Sequence, residues 1–67
     1  MKITGTIGTV PFEAQVTVGD LGADWAMSIG KSWYASCETY KETIELAEAD
    51  LRAFLEALGA TITGETE

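Results

Sequence analysis

Sixty-seven residues bound this chain to one domain, close to the lower size at which a single core holds a fold without staples, and leave no room for a catalytic cleft between lobes. Apolar residues make up 46% and charged residues 22%, which excludes a disordered chain, and eleven acidic against four basic residues give a formal charge of −7, which opposes direct binding to nucleic acid or to an anionic membrane. One cysteine and no histidine remove an internal disulfide and any ordinary structural zinc set.

The opening Met1-Lys2-Ile3-Thr4-Gly5 lacks the apolar stretch of a signal peptide, and no apolar run approaches the roughly 20 residues that span a bilayer, so a cytoplasmic location is expected. From there the chain is written in period two. Ile3, Gly5 and Ile7 alternate with Lys2, Thr4 and Thr6; after Gly8-Thr9, Val10, Phe12, Ala14, Val16 and Val18 alternate with Pro11, Glu13, Gln15 and Thr17. A two-residue loop at Gly8-Thr9 sets Ile7 opposite Val10, Gly5 opposite Phe12 and Ile3 opposite Ala14, with both apolar sets on one face. Pro11 cannot donate to a ladder and belongs at an unpaired or edge position.

Gly19 to Asp24 is dense in turn residues and reads as a loop before a third strand, Trp25 to Ile29. A hairpin at Gly30-Lys31 then leads to a fourth strand, Ser32 to Cys37, where two registers compete. A two-residue loop pairs Ile29 with Ser32, puts Tyr34 on the core face and leaves Trp33 outside; a three-residue loop buries Trp33, Ala35 and Cys37.

Thr39 and Glu42 fit an S/T-x-x-E capping box, and Tyr40, Ile44, Ala47, Leu51, Phe54, Leu55 and Leu58 recur at helical steps, predicting a helix of about five turns that Gly59 ends. Ala60 to Thr63 can add a short strand. The expected fold is α+β, an antiparallel meander of three to four strands with one long amphipathic helix on one face, formed by a single domain over residues 1–63 with a frayed tail at 64–67.

The segment from Trp25 to Leu55, a strand, a Gly-Lys turn, an aromatic strand and Thr39-Tyr40-Lys41-Glu42 opening a helix, resembles the three-strand-plus-helix arm modules of phage integrases. Those modules read DNA through basic strand residues. This sheet offers only Lys2 and Lys31, so the resemblance carries no DNA-reading role with it.

Chemistry has few bearers here. There is no histidine base, no G-x-S-x-G elbow, no P-loop and no G-x-G-x-x-G, and Asp20 with Asp24 supplies too few oxygens for calcium, so no catalytic, metal or cofactor residue is assigned. Cys37, beside Glu38, reads as a small apolar residue.

Three surfaces remain for a partner. Glu42, Glu45, Glu48 and Glu56 form an acidic side of the helix, although Lys41 and Arg52 are spaced for Lys41–Glu45, Glu48–Arg52 and Arg52–Glu56 pairs that make it an ordinary solvated face. Leu46, Ala49, Ala53 and Ala57 form a stripe of mostly small residues opposite the apolar one, whose alanines helix propensity alone would also place, though it does not call for Leu46. The open sheet face carries Thr4, Thr6, Glu13, Gln15, Thr17, Ser28 and Ser36, with Trp33 or Tyr34 at its edge. The expectation is a small acidic, non-enzymatic protein-binding module whose partner is a protein with a basic surface, an inhibitor of a host defence or nucleic-acid-handling complex in the manner of phage anti-CRISPR proteins. The alternative is an assembly protein that associates with itself as a homodimer.

Overall fold

Five antiparallel strands form one sheet, lying side by side in the chain order fourth, third, second, first and fifth, and one helix lies across one of its faces, in a computed structural model that describes residues 1–66. Strand β1 (Lys2–Ile7) turns at Gly8-Thr9 into β2 (Val10–Gly19), with Ile7 opposite Val10, Gly5 opposite Phe12 and Ile3 opposite Ala14, the register expected from the pattern. Gly8 has φ 64°, the positive value this tight turn needs. Pro11 is accommodated although β2 is central. Its carbonyl accepts from Gly30 N–H at 2.9 Å, so its ring nitrogen also faces the third strand, and it does so beyond the last ladder pair, Phe12 with Ile29.

The segment expected as a loop is mostly strand. Only Asp20-Leu21 form the turn; Gly19 already faces Gly22, and β3 runs Gly22–Ile29. Gly22 at φ 125° lets the chain fold straight back, and Ala23, Trp25 and Met27 keep the buried alternation that the run of turn residues obscured. A β-carbon at Gly22 would stand 2.6 Å from the Lys41 carbonyl oxygen, so the next segment can lie close against this turn.

At Gly30-Lys31 the two-residue loop is the one adopted, with Ile29 opposite Ser32 at the start of β4 (Ser32–Ser36). The two expected arrangements were not exclusive. Ser28 faces Trp33 but Met27 faces Ala35, so Tyr34 is the extra residue of a β-bulge. Trp33 therefore points to the open face, while Tyr34 turns toward Phe54 at 6.3 Å between ring centroids and Ala35 and Cys37 pack against the core.

The helix begins later than the capping box implies. Helix α1 spans Ile44–Leu58, with Thr43 as its N-cap and the Thr43 hydroxyl accepting from Leu46 N–H at 3.2 Å. Residues before it are held by the sheet instead: β4 stops at Ser36, and Lys41 exchanges two backbone hydrogen bonds with Ala23, at 2.7 and 2.8 Å, along the edge of β3 that β4 leaves open. Tyr40 and Ile44 are consequently exposed rather than part of the apolar stripe, whose buried members are Ala47, Leu51 and Leu55. Gly59 closes the helix at φ 72°, with Gly59 N–H donating to Glu56 and Ala60 N–H to Leu55.

A fifth strand completes the sheet. Strand β5 (Thr61–Thr66) pairs with β1 and takes in the segment expected to fray, Glu67 alone lying outside the described residues. It approaches so closely over Gly5 that a β-carbon there would collide with the Thr61 carbonyl and stand 2.9 Å from the Phe12 ring. The core is one layer: Ile3, Phe12, Ala14, Val16, Ala23, Trp25 and Met27 from the sheet against Ala47, Leu51 and Leu55 from α1. Among the described residues no helix is long and apolar enough to cross a membrane.

Candidate binding surfaces

Because the single helix covers one face, the whole opposite face of the sheet is uncovered. A row of paired residues crosses it from Trp33 through Ser28, Glu13 and Thr4 to Gly64, and the next row brings Ser36, Ala26, Gln15 and Lys2 together. Small residues at Ala26 and Ser28 leave a shallow groove of about 250 Å³ beside the Trp33 indole, with Glu13 and Gln15 on its far side. Trp33 is 71% exposed. The bulge fixes this: without the extra residue Tyr34, a β4 that kept Ala35 and Cys37 on the core would have buried Trp33 with them. Tyr34 stays on the helix side, so of the two aromatics Trp33 is the one the open face presents.

Charge is distributed unevenly. Lys2 pairs with Glu13 at 3.3 Å, Lys41 with Asp50 at 3.9 Å, and Arg52 with Glu48 at 2.9 Å and with Glu65 on β5. Arg52 is held firmly protonated by those two carboxylates. Of the three helix pairs expected, only Glu48–Arg52 forms: Lys41 precedes the helix and Arg52 turns to Glu65 rather than Glu56. Glu42 and Glu45 stay exposed at the helix start. They share one end of the molecule with Asp20, Asp24 and Glu38, because the Ala23–Lys41 bridge ties the β2–β3 turn to the segment that enters α1. That end is an acidic pole.

The second helical stripe is also in solvent. Leu46 is 52% exposed, and Ala49, Ala53 and Ala57 are exposed along the same side. It is not wholly opposite the core, since Ala53 forms part of the wall of a pocket with Phe54 and Asp50.

Asp50 is the chemistry-bearing residue that sequence reasoning passed over. Its Oδ2 accepts from the Trp25 indole N–H at 2.7 Å and lies 3.6 Å from the Cys37 sulfur, whose single proton is shared with the Thr39 carbonyl at 2.9 Å. The Trp25 hydrogen bond, then Cys37 and the Lys41 ammonium, hold the Asp50 carboxyl below the ordinary aspartate range against the opposing effect of burial. A signal was there: Asp50 stands three residues after Ala47 and four before Phe54, so it is an acid at the border of the apolar stripe, within reach of a donor at the edge of the core. No group of three or more potential metal ligands gathers among the described residues.

Compared with models of known protein families, with characterised proteins and with solved structures, the chain finds no match in any of the three.

Proposed function

We propose that this chain is a non-enzymatic protein-binding module that docks a basic partner on its uncovered sheet face, with Trp33 as the anchor. The observation that carries the reading is Trp33 itself: a large aromatic side chain, 71% exposed, held by a bulge on a face of mostly polar residues beside a shallow groove. Aromatic side chains of this kind supply much of the energy of protein interfaces, and Trp loses little conformational freedom on docking. The acidic pole, at the other end of β3 from Trp33, favours a partner of opposite charge and steers its approach. A module that covers a basic surface blocks nucleic acid from it, and inhibition of a nucleic-acid-handling or defence complex, as phage anti-CRISPR proteins inhibit theirs, is the role we propose within the cytoplasm.

Capture from a lysate on immobilised parent and on Trp33→Ser tests the reading. A partner retained by the parent and lost with the variant, and released as salt is raised, supports it; equal retention by both places the interface elsewhere. Self-association is the second reading, favoured by Leu46, which lies half exposed on the helix for no reason of propensity. Sedimentation over a range of concentrations separates the two.

A further inference from the structure

Beside Asp50 a pocket of about 440 Å³ lies between the helix and the segment that joins β4 to α1, lined by Trp25, Phe54 and Ala53 on the apolar side and by Ser36, Glu38, Thr39, Lys41 and Asp50 on the polar side. This volume lies within the range of pockets that hold a ligand or an inserted side chain. Its charged groups are the Glu38 and Asp50 carboxylates and the Lys41 ammonium, and the Ser36 and Thr39 hydroxyls can accept as well as donate. Asp50 uses Oδ2 for Trp25 and Cys37, but among the described residues Oδ1 meets only the Lys41 ammonium, at 3.9 Å, too far for a hydrogen bond. Two carboxylates against one ammonium leave the pocket negative, and Phe54, tilted against Trp25 at 4.9 Å between centroids, offers an aromatic wall. Ser36 also lines the shallow hollow that holds Asp24 and Tyr40, so the pocket opens at the edge of the proposed docking face.

We propose that this pocket receives one arginine side chain of the partner, its guanidinium against Phe54 and its N–H groups on Asp50 Oδ1 and the Glu38 carboxylate. The assignment rests on the protein-binding reading and supplies its specificity element. Arginine suits the site better than lysine because a planar cation with several fixed donors can stack and hydrogen-bond at once, whereas an ammonium would duplicate Lys41. Lys41 is then a competitor that the arginine displaces.

The probe is N-acetyl-arginine amide, titrated into the full chain while the two indole N–H resonances are followed. Expected is a saturable millimolar shift of the Trp25 indole, which reports on Asp50, with Trp33 unmoved. Asp50→Asn keeps an acceptor for the Trp25 N–H and should weaken binding about threefold or more; Ala53→Leu, on an exposed helix position, should weaken it by filling the wall; Lys41→Met should tighten it about threefold by removing the competitor. A shift of equal size with the uncharged citrulline analogue, or loss of binding in Lys41→Met, would overturn the assignment, the second by showing an anion site. No saturable shift also overturns it, and because the probe needs no partner, that result leaves the Trp33 surface to be judged by its own capture experiment.

Discussion

A side chain at Gly5 would run into the Thr61 carbonyl and the Phe12 ring, and both neighbours are fixed, one by the β1–β5 ladder and the other by the core. Gly5→Ala is therefore expected to lower stability by about 2 kcal/mol in chemical denaturation, as overpacking does, and an unchanged midpoint would mean that β5 does not lie there. The Gly5–Phe12 pairing was legible from alternation, but the reason for glycine was not, since Thr61 is 56 residues away in sequence and nothing local announces it. At the helix start, Thr43→Ala should cost about 1 kcal/mol and Thr39→Ala close to nothing, because the Thr43 hydroxyl is the one that caps α1. Asp50 gives the chain an acid-sensitive contact. Its carboxyl binds a proton less readily folded than unfolded, so its contribution is fully present above the unfolded aspartate range, near pH 3.9, and is lost as pH falls through the lower folded value. The Asp50→Asn variant should show a shallower loss of stability on acidification, and a slope equal to the parent's would mean that the Trp25 contact does not form.

Elements were read well where the pattern is regular and misread where backbone pairing overrides it. The β1–β2 hairpin and the Gly59 stop follow from residue types that allow one local answer. The capping box at Thr39 and Glu42 lost to two backbone hydrogen bonds between Lys41 and Ala23, which satisfy a sheet edge that no local signal marks as open. The bulge at Tyr34 resolved a conflict that strict alternation left undecided, by letting the aromatic side chains of Trp33 and Tyr34 serve opposite faces. It makes a spectroscopic prediction: acrylamide should quench one exposed indole readily and one poorly, and Trp33→Phe should remove the readily quenched component while Trp25, 2% exposed, remains. Uniform quenching of both would contradict the bulged register.

At the scale of the molecule, one helix covers one face of a five-stranded sheet and leaves the other to solvent, and that asymmetry was legible from the polar alternation of β1 and β2. The site was legible in part. Trp33 was named, though only the bulge decides between it and Tyr34; the stripe of Leu46, Ala49, Ala53 and Ala57 was named and is exposed; the Asp50 pocket was not, because it depends on where the segment before α1 is tethered. The two named surfaces lie on opposite sides of the chain, so a single measurement separates them. With the captured partner bound, the Trp33 indole N–H and the methyls of Thr4 and Thr17 should shift while the methyls of Ala49 and Ala57 stay where they are. Shifts confined to Ala49, Ala57 and Leu46, with Trp33 unmoved, would contradict the assignment of the open sheet face as the docking surface.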